Sequence, residues 1–164
     1  MGFDITKIAN FILYMLEKDA QFINQKKVST LLFLVDYENL QKNGEKIFAD
    51  DYIKEKRAPT PKIMQEIFTI IENNEDLDEE DEMLFLIREL LEYIDIETIS
   101  KKTHTELRFI KVEEEFDSSL FEKEELDTIR KIVKKYKDTS PRNIANDTFQ
   151  IELVRTTPQG EAII

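Results

Sequence analysis

Residues 24–44 read NQKKVSTLLFLVDYENLQKNG. Val28, Leu31, Leu32, Val35 and Leu40 recur at helical spacing, which predicts a helix over 24–43. Gly44 then ends it, because glycine enters the left-handed backbone of a helix terminus at little cost. Upstream, residues 4–18 repeat the pattern. Asp4 is a natural N-cap, and Ile5, Ile8, Ile12, Met15 and Leu16 form the apolar stripe.

Downstream, residues 45–59 read as non-helical, anchored by Ile47 and Phe48, with 52–57 extended. Pro59 and Pro61 bracket Thr60, which is placed to cap a helix running to Glu72 with Pro61 at its first position. Residues 73–82 hold seven carboxylates in ten positions. They read as a solvated loop entering the acidic first turn of another helix. That helix carries Met83, Leu84, Leu86, Ile87, Leu90, Leu91 and Ile94, a broad apolar face that suggests a central place in the fold.

Residues 103–115 alternate apolar and charged side chains and read as one short strand, expected to pair with 47–54. Ser119 to Glu122 matches a capping box, and a helix to Lys137 follows, with Leu126, Ile129, Val133 and Tyr136 on one face. Ser140-Pro141 opens a short helix through Ile144 and Ala145. The expected fold is therefore mostly α: a compact domain of about six helices with a small two-stranded β element. One domain spans residues 1–155, and 156–164 form a loose tail held, if at all, by Ile163 and Ile164.

Composition narrows the function. The 164 residues include 23 Lys and Arg against 35 Asp and Glu, a formal charge of −12. Such a chain repels phosphate, which disfavours general nucleic-acid binding. No apolar run is long enough to span a membrane, and Asp4 and Lys7 interrupt the N-terminus as a signal peptide. Met1-Gly2 with Thr6 has the spacing of a myristoylation signal, a pattern common by chance. The absence of cysteine suits a reducing cytoplasm.

Catalytic signatures are missing. His104 is the one histidine and reads as a turn residue. The run 75–82 lacks the glycine and alternating ligands of a calcium loop. Gly2, Gly44 and Gly160 are too far apart for a phosphate loop. The sequence therefore offers no catalytic residue, no metal site and no cofactor site. Two features suit binding instead. One is Lys54, Lys56 and Arg57 beside Pro59. The other is the basic end of the 119–137 helix, with Arg130, Lys131, Lys134, Lys135 and Lys137.

Taken in order, the segments resemble the SocA-like, or Panacea, domain, a bacterial and phage-associated antitoxin family. The likeness rests on KIANFILYMLEK (7–18), KKVSTLLFLVDYENLQKNGEKIF (26–48), DDYIKEKRAPTPKIMQEIF (50–68), LFEKEELDTIRKIVKKYKDTSPRNIANDTF (120–149) and GEAII (160–164). The family usually carries an aromatic and Tyr-Gly-Pro where this chain has Glu55 and Arg57-Ala58-Pro59. It also carries a His followed by Trp near the end. Here Asp147 stands at the His position, and the chain has no Trp.

The resemblance implies a toxin-antitoxin module that neutralises a cognate toxin by contact or delivers it to a protease. The expected partner is a basic toxin, met through Lys54, Lys56, Arg57 and Pro59. Nothing in the residues sets an oligomeric state. Two other readings compete. One is a mobile-element transcriptional regulator touching DNA through residues 131–137. The other is a metal-dependent enzyme using the acidic run.

Overall fold

The structure is a computed structural model, and it describes residues 2–56 and 58–164. Its elements follow the chain as α1 (Ile5–Glu17), α2 (Gln25–Asn43), β1 (Tyr52–Glu55), β2 (Ala58–Pro61), α3 (Lys62–Glu72) and α4 (Glu82–Tyr93). Next come β3 (Ile94–Ser100), β4 (Thr105–Lys111), a 3-10 turn (Ser118–Leu120), α5 (Lys123–Tyr136), α6 (Pro141–Thr148) and α7 (Glu152–Thr156). The mostly α fold stands, with seven α-helices and two two-stranded antiparallel sheets among the described residues.

The first two helices form as their residues dictate. The Asp4 side chain accepts from the Lys7 amide, and that of Asn24 accepts from the Lys27 amide. Gly44 closes α2 at φ +80°. The centre of the molecule is α2. Its buried residues run from Lys27 to Asn39 and cover most of its circumference, as expected of a helix enclosed by neighbours. Helices α3, α5 and α6 and strands β2 and β4 pack around it, and α1 adds Ile8, Phe11, Ile12, Leu13 and Met15 to the core.

The expectation that the 83–94 helix is central is corrected. Only Ile87 and Leu90 of α4 are buried, while Phe85 is 59% exposed and Leu91 44%. A broad apolar face does not secure a central position when α2 already fills it and α4 packs from outside against α1.

The strand expectation needs two corrections. β4 lies where a strand was read, but it pairs with β3, from Ile94↔Lys111 to Ser100↔Thr105. Residues 94–100, IDIETIS, follow α4 without a break, so their alternation merges with the helical pattern. The four-residue turn at 101–104 makes the local pairing cheap in closure entropy. β1 instead pairs with β2, from Tyr52↔Pro61 to Glu55↔Ala58.

Caps moved as well. Pro61 is the N-cap of α3 and offers no side-chain bond. Asp50 caps the helix in its place, its carboxylate accepting from the amides of Ile63 at 2.9 Å and Met64 at 3.0 Å. The capping box of α5 is Glu122 with Glu125, three residues beyond the expected Ser119. Ser119 belongs to the 3-10 turn, where the Asp117 carboxylate accepts from its amide.

The tail is tied rather than loose. Gly160 N–H donates to Lys54 O at 2.7 Å, and Lys54 N–H donates to Glu161 O at 2.9 Å. Ile163 N–H donates to Tyr52 O at 2.7 Å, and Tyr52 N–H donates to Ile164 O at 3.0 Å. Residues 160–164 thus lie antiparallel beside β1, with Ile163 buried. The backbone donors and acceptors of β1 that face away from β2 are what hold them.

Candidate functional site

Two polar centres lie on α2, two residues apart. The first is Asp36, which is fully buried. Its Oδ1 accepts from the amides of Ile47 at 2.6 Å and Phe48 at 2.9 Å. Its Oδ2 accepts from the Ala49 amide at 3.2 Å and the Tyr52 hydroxyl at 2.7 Å. Burial pushes the Asp36 carboxyl up, against the pull of these donors, and pushes Asp50 up in the same way. Tyr52 is raised well above its usual value by burial and then by Asp36. These groups hold the turn after α2 and the start of α3 in place.

The second centre is a groove of about 390 Å³ between α2, α5 and the α6–α7 connection. Leu34, Tyr37 and Glu38 face it from α2, at positions i, i+3 and i+4. Lys131, Ile132, Lys135 and Tyr136 face it from α5, and Asp147, Gln150 and Ile151 close the far side. Lys131 Nζ donates to Glu38 Oε1 at 2.7 Å. Glu38 Oε2 is buried and makes no hydrogen bond, and Lys42 Nζ lies 4.0 Å from it. Burial, and then the neighbouring Asp147 carboxylate, push the Tyr136 phenol up to about 12.

Of the two features named from sequence, the basic end of α5 gives Lys131 and Lys135 to this groove, while Lys54, Lys56 and Pro59 sit on the β1–β2 hairpin and do not line it. Lys54 is half-buried, and its ammonium donates to Arg155 O at 3.0 Å. Lys56 is exposed at φ +47°. Pro59 is buried. Arg57 lies outside the described residues. Of the three described residues, Lys56 is the side chain on the open surface.

His104 is exposed in the β3–β4 turn. Among the described residues no group of three His, Cys, Asp or Glu side chains is arranged to hold a metal ion. No helix among them is long and apolar enough to cross a membrane. On the basic face of α5, Lys131 is engaged by Glu38, and Lys135 Nζ sits 5.2 Å from the Tyr136 ring centre.

Sequence reading missed Tyr37 and Glu38. They follow an apolar run on α2 and look like its solvated side. Tyr136 and Asp147 were visible, one as a core position and the other as a departure from a family pattern. The groove that joins them requires three elements to meet, and no local periodicity records that.

A mostly α domain with short β hairpins and an open groove between helices is the class the geometry defines. The family model for the antitoxin SocA-like, Panacea domain matches residues 30–150, and the chain belongs to that family. The match runs from the first turns of α2 to the end of α6, so it takes in both hairpins and nearly all of the groove. Comparison with curated proteins and with solved structures found no match.

Proposed function

We propose that this protein neutralises a cognate toxin by direct contact, as a stoichiometric partner and not as an enzyme. Delivery of that toxin to a protease is a variant of the same role. Membership of the antitoxin family is the observation that carries the reading. The charge of −12 favours a basic partner, with association that is fast at low salt and slows as salt is added. The most strongly buried carboxylates, Asp36 and Asp50, are committed to backbone amides, which suits a structural role rather than proton transfer.

The exposed Lys56 of the hairpin tip and the groove at Tyr136 are the two contact regions in this proposal. The test is co-expression with the product of the adjacent gene. The expected outcome is restored growth and a complex that survives gel filtration at low salt. Toxicity without rescue, together with separate elution, overturns the reading.

A further inference from the structure

Asn43 and Gly44 end α2 and form an Asn-Gly pair. In such a pair the glycine nitrogen can attack the asparagine side-chain amide, and no Cβ on the glycine hinders its approach. Every other asparagine of the chain is followed by a residue with a side chain. Asn43 is exposed, so water reaches its amide.

The fold guards this reaction without abolishing it. Gly44 N–H donates to Leu40 O at 3.0 Å, and Asn43 Nδ2 donates to Asn39 Oδ1 at 2.7 Å. The attacking nitrogen and the amide it attacks are thus each held by the last turn of α2. A helix end is also where local opening costs least. Fraying of that turn releases both groups together.

We infer that Asn43 is a site of spontaneous deamidation, paced by fraying of the last turn of α2, and that its product unfastens α2 from the turn that follows it and from α5. In the reaction, Gly44 N bonds to Asn43 Cγ and the Cγ–Nδ2 bond breaks. The proton of the glycine nitrogen leaves with Nδ2 as ammonia, and a five-membered succinimide remains. Water opens that ring at either carbonyl, which gives aspartate or isoaspartate at position 43. Nothing is oxidised or reduced, and water is the one co-reactant.

Asn39 is what makes the product matter. It is 1% exposed. Its Nδ2 donates to Glu45 O at 2.8 Å, which turns its Oδ1 toward Asn43. The Thr128 hydroxyl of α5 donates to the same oxygen at 3.1 Å. An aspartate at 43 has no N–H to give, so its carboxylate faces the Asn39 oxygen. Rotating the Asn39 amide sets that oxygen against Glu45 O instead, so the conflict moves without being relieved. The new negative charge also stands at the carbonyl end of a helix, where the macrodipole disfavours it. Isoaspartate adds a backbone carbon just before Gly44 and breaks the helix end outright. The inference does not depend on what the chain binds.

The test incubates the full chain in neutral buffer and, in parallel, unfolded in urea. Samples are digested at mildly acidic pH, which halts the reaction, and the peptides are separated and weighed. The expected result is aspartate and isoaspartate at 43 ahead of every other asparagine. Conversion in urea should be at least about tenfold faster, the ratio that an opening cost of about 1.4 kcal/mol produces. Conversion first at another asparagine, or none at 43 in either solution, overturns the site. Equal rates in buffer and urea overturn the pacing by α2. Asn43→Asp should lower the urea midpoint further than Asn43→Ala, which removes the donor without adding a carboxylate. A midpoint for Asn43→Asp equal to that of wild type overturns the unfastening.

Discussion

Asp36 and Glu38 are both carboxylates of α2, two positions apart, and they differ in how many donors reach them. Asp36 receives three amides and a tyrosine hydroxyl and has no capacity to spare. Glu38 receives one lysine and keeps a buried oxygen without a hydrogen bond. The first closes the fold and the second faces a groove. What separates the two carboxylates is the number of donors that reach them, since both carry the same charge on the same helix.

The contrast breaks most severely at Asp36. Asp36→Ala strands three amides in the core and leaves the Tyr52 hydroxyl only Leu32 O, and the expected loss is about 3–5 kcal/mol in urea unfolding. Asp50→Ala uncaps α3 and should cost about 1–2 kcal/mol. Tyr52→Phe removes one donor from Asp36 and one bond to Leu32 O, an expected loss of about 1 kcal/mol. At the other extreme, Glu38→Gln should change stability by no more than about 0.5 kcal/mol, because its two ion pairs, with Lys131 and Lys42, are both to exposed lysines. A large loss there would mean that Glu38 is a fold residue and would erase the distinction.

Titration sharpens the same comparison. The carboxyls of Asp36 and Asp50 are raised above their ordinary value of 3.8 by burial. A raised acid binds its proton in the folded chain first, so its stabilising contribution is complete below 3.8 and is lost as pH rises through the folded value. The urea midpoint of wild type relative to Asp36→Asn should therefore improve as pH falls through that window.

Lys27 is the cationic counterpart of Asp36. It is buried, and its ammonium donates to Gln21 O at 2.6 Å and to Lys137 O and Thr139 O at 2.9 Å each. Desolvation lowers it from 10.5 to about 8. The unfolded chain then holds the extra proton between those values, so stability contributed by Lys27 rises with pH across them. The rise should be read between pH 8 and the ordinary tyrosine value of 10, before the raised tyrosines reverse it, and it should be absent in Lys27→Met. Lys131, with its single carboxylate partner and an exposed stem, should show no such window.

Much of the helical frame was legible because its signals are local. Asp4, Asn24 and Gly44 mark the ends of α1 and α2, and Ser140-Pro141 opens α6 with the serine as cap and proline in the first turn. Position within the fold was less legible. The apolar faces of α2 and α4 look alike in sequence, yet α2 is enclosed and α4 leaves Phe85 in solvent. The donors to Asp36 lie 11 to 16 residues away, and the acceptors around Lys27 come partly from the far end of α5. Neither separation matches a helical or strand period, so no pattern announces either side chain as a core residue.

The sequence alone therefore determined the helical class, the family likeness, the acidic exterior and most helix ends. Each depends on composition or on residues within a turn of one another. Tertiary structure alone decided that α2 is central, that β3 pairs with β4, and that residues 160–164 lie beside β1. It also decided that Glu38, Tyr136 and Asp147 share a groove. These outcomes depend on which distant backbone and side-chain groups meet in space, and a hydrogen bond between distant segments leaves no local trace in either one.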